Sequence, residues 1–200
     1  MSRTQEPRAA ARRTRSILLT VTVAAAAAAT AALWVTVLGI PQTGVPAETR
    51  AVGASGRIAE GASVLAEIPA VTNLDPRLRT ALRRAATDAA DDGVELAVNS
   101  GWRSSDYQEQ LFREAAEKYG SDEEARRWVA RPGASVHEAG DAVDIGPSTA
   151  TAWLAEHGAS FGLCRIYDNE PWHYELRTDA VAHGCPPTYA DPTDDPRMQR

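Results

Sequence analysis

Basic residues are scarce in most of this chain. Residues 1–40 hold five arginines and one glutamate; of the 21 basic and 27 acidic residues in all 200, that leaves 16 and 26 for the remainder, a net charge of −10. An acidic body argues against nucleic acid or an anionic bilayer surface as a partner. No internal repeat stands out, so nothing points to a repeat array. Charge is missing altogether from Ser16 to Ile40. Cysteine is rare as well, with only Cys164 and Cys185. Two cysteines in an exported protein most simply form one disulfide; two separate buried thiols are the other reading. A bridge would enclose Glu170–His173 and pin that segment.

The uncharged run is mostly Ala, Val, Leu, Ile and Thr. About 20 apolar residues suffice to span a bilayer as a helix. Arg3, Arg8, Arg12, Arg13 and Arg15 precede the run and no charge follows closely, which keeps the N-terminus cytoplasmic. The competing reading is a cleaved signal peptide with Val45-Pro46-Ala47 as its site. Such apolar cores usually run about 7–15 residues, so the sequence favours an uncleaved anchor. Either way the remainder is exported. The expected organisation is a basic segment at 1–15, a membrane anchor at 16–40, a flexible linker at 41–65, one domain at 66–186 and a proline-rich disordered tail at 187–200. A hydrophobic content of 44% suits one modest domain with such appendages.

Within the domain, Leu78, Leu82, Ala85 and Ala89 recur at helical spacing behind Asp75-Pro76, a natural helix start. Val94–Asn99 alternates as a strand does. Ser105 or Asp106 caps a helix to about Tyr119, with Tyr107, Leu111 and Ala115 on one face. Ser121 and Glu124 form a capping box for a short helix. Short strands are expected at Ala139–Gly146, Leu163–Tyr167 and Trp172–Leu176, with a helix from Ser148 or Thr149 to His157.

Ser135–Ile145 and Glu170–His173 carry the chemistry. His137, Asp144 and His173 offer a mixed nitrogen and oxygen ligand set. Three protein ligands leave a fourth position open, as a hydrolytic zinc site needs and a structural one does not. Gly140 allows the turn that brings His137 and Asp144 to one point. Glu170 lies three residues before His173; on an ideal strand the two would point apart, but Pro171 interrupts any regular ladder. Glu170 there can act as a general base, taking a proton from water and returning it to a leaving amine. Arg103, in the loop after a strand, is a candidate to stabilise an oxyanion. For a single histidine or arginine, an ordinary structural role is the commoner one; here the joint pattern carries the reading.

That pattern runs Ser100-Gly-Trp-Arg-Ser104, Gln108, Arg131-Pro-Gly-x-Ser-x-His-x-x-Gly-x-Ala-x-Asp144 and Glu170-Pro-Trp-His173. It resembles the VanY-type D-alanyl-D-alanine carboxypeptidases over roughly residues 70–180. The resemblance implies an α+β fold, a small antiparallel sheet with flanking helices, like that of the VanX dipeptidases and the hedgehog signalling domain. It implies Zn2+ on His137, Asp144 and His173, with Glu170 as general base and Arg103 contacting the substrate carbonyl and transition state. Gln108 and Ser135 match positions that hold a D-Ala-D-Ala end, and Trp172 matches a pocket wall. Two segments, from Asp144 to the next helix and from Tyr167 to Glu170, are shorter than in the common pattern.

The function expected is removal of the terminal D-Ala from peptidoglycan pentapeptide stems by a membrane-anchored monomer, outside the cytoplasm, with a role in glycopeptide resistance. A D,D-dipeptidase, a dual D,D-peptidase and a murein endopeptidase are the enzymatic alternatives. A non-catalytic cell-wall-binding module is disfavoured, because the chain keeps every ligand and the base.

Overall fold

The computed structural model describes residues 53–199. Strands β1 (Ala62–Ser63), β2 (Ala97–Ser100), β3 (Ala142–Gly146), β4 (Leu163–Arg165) and β5 (His173–Leu176) form one sheet. Its order is β1-β2-β3-β5-β4, and every neighbouring pair is antiparallel. Helices flank it: α1 (Pro69–Thr72), α2 (Pro76–Asp91), α3 (Ser105–Tyr119), α4 (Asp122–Ala125), α5 (Ser148–His157) and α6 (Ala180–His183). The α+β architecture expected from the resemblance is present. Among the described residues no helix is long and apolar enough to cross a membrane. The expected anchor at 16–40, the basic segment before it and the alternative site at Val45–Ala47 lie outside the described residues.

Helix α2 forms as its spacing predicts. Asp75 caps it by accepting from the N–H groups of Arg77 and Leu78, with Pro76 in the first turn. Leu78, Leu82, Ala85 and Ala89 are fully buried along one stripe. They share a core cluster with Val98, Val143, Ile145 and Tyr174 from the sheet and Leu154 from α5. Truncating a leucine such as Leu82 to alanine in a core of this kind costs about 2–5 kcal/mol. Side chains alternate across a strand, so the same pattern that turns Val143, Ile145 and Tyr174 inward turns Asp144, His173 and Glu175 to the other face. There Asp144 stands directly opposite His173 in the β3–β5 register. Packing on one face of the sheet thus fixes the chemistry on the other.

Several expectations need correction. The linker expected at 41–65 is part of the domain from residue 53 onward: β1 pairs with β2, Val64 is buried, and Ser104 donates its N–H to Ser55 O. Strand β2 begins at Ala97 rather than Val94, because the N–H of Val94 is held by Ala89 O at the end of α2. Helix α3 is capped by Ser104, whose hydroxyl accepts from Tyr107 N. Its buried face is Gln108, Phe112 and Ala115 rather than Tyr107, Leu111 and Ala115, since Phe112 and Ala115 pack on Ala125 of α4. Helix α5 has no side-chain cap; Pro147 precedes it.

The tail expected to be disordered is ordered through Gln199. Tyr189 pairs in parallel with Tyr167, and Asp195 is fully buried. Pro192 and Pro196 open short 3-10 turns at Pro192–Asp194 and Pro196–Gln199. Prolines and acidic residues signal disorder only where they find no partner. Here Asp191 accepts from Arg127 Nε at 2.9 Å and Asp195 from the Tyr167 hydroxyl at 3.0 Å.

Candidate active site

Each half of the site is built by a turn. After His137 the chain reverses, with Gly140 N donating to His137 O and Asp141 N to Val136 O. Gly140 has φ +78°, and a Cβ there would sit 2.4 Å from Asn73 O, so the turn requires glycine. The second half solves the problem posed by Glu170 and His173. Residues 170–173 form a turn closed by His173 N donating to Glu170 O at 3.1 Å. Pro171 takes its second position, where a fixed φ is favoured. The turn folds Glu170 back beside the ring it would otherwise oppose. Glu170 Oε2 lies 3.6 Å from His173 Nδ1.

His137, Asp144 and His173 are all buried, and their ligand atoms lie within 4.8 Å of one another. His137 Nε2 faces His173 Nδ1 at 3.3 Å; Asp144 Oδ1 lies 3.4 Å from the first and 3.2 Å from the second. The outer nitrogens fix the tautomers. His137 Nδ1 is 2.8 Å from Gly101 O, a carbonyl that can only accept, so Nδ1 carries the proton. His173 Nε2 is 3.4 Å from Glu175 Oε1, an acceptor as well. Two ring lone pairs and a carboxylate oxygen therefore converge on one point. Such a set suits a divalent cation, with outer partners orienting each ligand.

The electrostatics agree. Burial disfavours a charge on His173, but Asp144, Glu175 and Glu170 outweigh it and push its pKa up to about 9. A place that draws a proton this strongly also favours a metal ion. Burial and the Arg103 charge lower His137. Asp144 is held well below the usual carboxylate range; burial opposes this, and His137, His173 and Arg103 prevail. Burial raises Glu170 to about 7, with Asp144 adding to the rise and His173 and Arg103 opposing it.

The second oxygen of Asp144 belongs to Arg103. The guanidinium donates to Asp144 Oδ2 at 2.7 Å, to Ser100 Oγ at 2.7 Å and to Gln108 Oε1 at 3.2 Å. Gln108 is fully buried, and its amide nitrogen donates to Ala130 O. It orients Arg103 rather than projecting freely. Ser135 is buried, its hydroxyl accepting from His137 N. Trp172 is 40% exposed at the rim. Arg103, Gln108, Ser135 and Trp172 border one cavity of about 170 Å³, which the three metal-ligand candidates and Glu170 also line. Cys164 and Cys185 are bridged, with Cα atoms 5.5 Å apart.

Sequence reasoning missed the outer layer. Glu175 is two residues past His173 on a strand, so the shared face was available as a signal. Asp195 and Arg197, which bond Tyr167 and Glu175, and Pro192 and Met198, which line the cavity, come from the tail and gave none.

A family model described as VanY, D-alanyl-D-alanine carboxypeptidase, matches residues 71–178. The chain belongs to this family. A D-alanyl-D-alanine carboxypeptidase of Enterococcus faecalis is 34% identical over 126 residues, covering 50% of this chain and 47% of that protein. The chain thus spans about half the length of that curated relative. A structure of VanYB in complex with D-alanine-D-alanine is similar with a TM-score of 0.51 at 29% identity, covering 56% of this chain and 74% of the other. A mutant of the vancomycin-resistance D,D-pentapeptidase VanY from the VanB-type cassette, in complex with Zn(II), gives 31% identity and a TM-score of 0.49, over 52% and 72%.

Proposed function

We propose that this protein is a zinc-dependent D,D-carboxypeptidase that removes the terminal D-Ala from peptidoglycan stem peptides. One observation carries the reading: three buried acceptor atoms converge beside a carboxyl whose pKa burial raises to about 7. His137, Asp144 and His173 would hold the ion. Bound there, it supplies Lewis acidity to the scissile carbonyl and to water. Everything else belongs to the chain. Glu170 takes a proton from the attacking water and delivers it to the departing amine nitrogen as the C–N bond breaks and the C–O bond forms; a pKa near neutrality suits both transfers. Arg103 has N–H groups beyond those given to Ser100, Gln108 and Asp144, and these can meet negative charge developing on the carbonyl oxygen. Ser135 and Trp172 border the space for the D-Ala-D-Ala end.

The Cys164–Cys185 bridge supports an oxidising, extracytoplasmic location, where stem peptides are presented. A single-pass anchor at 16–40 and a monomeric domain complete this reading. Loss of the terminal D-Ala removes the end that vancomycin-type glycopeptides bind, so resistance is its expected physiological effect.

The test is D-alanine release by the protein from an acyl-D-Ala-D-Ala tripeptide and from the free dipeptide, with and without chelator. Chelator-sensitive release from the tripeptide, with little from the dipeptide, is expected. Equal or faster dipeptide cleavage would reassign the protein as a D,D-dipeptidase or dual enzyme. No release from either would leave a cell-wall-binding module or an endopeptidase.

A further inference from the structure

The tail reaches the metal ligands from behind. Arg197 donates to both oxygens of Glu175, from Nη1 to Oε2 at 2.7 Å and from Nη2 to Oε1 at 3.0 Å. Glu175 Oε1 faces His173 Nε2 at 3.4 Å. The same guanidinium donates through Nε to Asp195 at 3.0 Å, and Asp195 Oδ2 accepts from the Tyr167 hydroxyl. The Tyr167 ring packs on the His173 ring with centroids 5.0 Å apart. Two routes, one polar and one by ring contact, therefore run from a single arginine to both sides of His173. Glu175 and Asp195 are almost wholly buried. Arg177 Nη2 also reaches Glu175 Oε2 at 2.7 Å, so Arg197 is not alone in balancing that charge.

We propose that the C-terminal strap, residues 191–199, is a working part of the site, with Arg197 and Asp195 as positioning residues that set His173 through Glu175 and Tyr167. The proposal rests on the reading that His137, Asp144 and His173 hold a metal ion. Arg197 is a planar fork across two carboxylates, which ties the strap to the sheet in one geometry. Glu175, so clamped, fixes the ring of His173 and the tautomer that leaves Nδ1 free toward the other ligands. The tail also supplies Pro192 and Met198 to the cavity wall. Breaking the Arg197 contacts should therefore disturb the metal site, whereas loosening the strap at Asp191 alone should not.

The test compares full-length wild type, Arg197→Lys, Arg197→Ala and Arg127→Ala. Arg127 holds the strap through Asp191 but has no bond to Glu175 or Asp195, so its loss loosens the strap without breaking either route to His173. Zinc release to a competing chromogenic chelator, thermal unfolding and the kcat and KM of D-alanine release are measured on each. Arg197→Ala should lose about 10-fold in zinc affinity, at the lower end of the range for outer-layer partners. Arg197→Lys should recover part of that loss, and Arg127→Ala should lower the melting temperature with zinc affinity unchanged. Lower kcat at near-constant KM is expected for Arg197→Lys. If Arg197→Ala does not fold, Arg197→Lys carries the comparison. Wild-type zinc affinity in folded Arg197→Lys, or equal loss in Arg127→Ala, would overturn the positioning role. If wild type itself binds no zinc, the metal reading fails instead, and the two failures are distinct.

Discussion

Arg103 and Asp144 are joined at 2.7 Å through the carboxylate oxygen that the two histidines leave free. One carboxylate thus serves the ion site with Oδ1 and the guanidinium with Oδ2. Asp144 lies on β3 and Arg103 in the loop just after β2: Ser100, the last residue of β2, binds Arg103 and stands opposite Asp144 in the β2–β3 register. The sheet therefore sets the spacing between the ion and the group that would meet the oxyanion.

Replacing Arg103 should damage both. Arg103→Lys keeps the charge but cannot bridge Ser100, Gln108 and Asp144 at once. We expect kcat to fall about 10²–10³-fold, the range for a lost oxyanion donor. Zinc affinity should also fall, by about 10-fold, because Asp144 loses its orienting partner. Steady-state kinetics with a metal titration measure both; intact zinc affinity would separate Arg103 from ligand positioning.

Gln108 should matter through Arg103 and through its burial. Gln108→Leu leaves Ala130 O and one guanidinium N–H without their partner. An unsatisfied buried polar group costs about 1–3 kcal/mol, so the melting temperature should drop and activity should fall with it. Unchanged melting and turnover would show that water or another side chain replaces the amide.

The Cys164–Cys185 bridge closes a loop with a sequence separation of 21. Chain entropy for a loop of this size gives about 3 kcal/mol. Reduction, or a double Cys→Ser variant, should lower the denaturant midpoint accordingly. No change would mean that the segment after β4 needs no tether.

Acid should weaken the attachment of the strap. Burial opposes ionisation of Asp191, but the Thr193 hydroxyl and N–H together with Arg127 outweigh it and hold its pKa below the ordinary 3.8. Asp195 is lowered in the same way by Arg197 and the Tyr167 hydroxyl, again against burial. A depressed carboxyl contributes stability that is fully present above the unfolded pKa and lost as pH falls through the folded one. The stability contributed by these two carboxyls should therefore be fully present above about pH 4 and decline below it. Asp191→Asn should start lower and decline less steeply; parallel curves would contradict the assignment.

Much of the site was legible because its signals are local. Gly140 marks the turn after His137, Pro171 marks the break before His173, and Asp75-Pro76 with the Leu78–Ala89 stripe marks the covering helix. The convergence of Glu170 and His173 was not legible from strand periodicity, since it depends on the turn closed by His173 N. The outer layer was hidden for another reason. Arg197 meets Glu175 across 22 positions, and nothing in a segment rich in proline and aspartate announces that its charges have buried partners elsewhere. The face of α3 was misjudged by one position because Gln108, a polar residue, occupies its fully buried place.

Zinc content and D-alanine release, measured on the same preparations of wild type and Glu170→Ala, test the proposed division between metal ligands and base most directly. Glu170 lies beside the three candidate ligands, its Oε2 3.6 Å from His173 Nδ1. Both proteins should hold one zinc per chain, with turnover of the tripeptide reduced by at least about 10²-fold in the variant. Full turnover in zinc-loaded Glu170→Ala would remove the proposed base. Loss of zinc along with activity would make Glu170 a ligand and contradict the assigned division of roles.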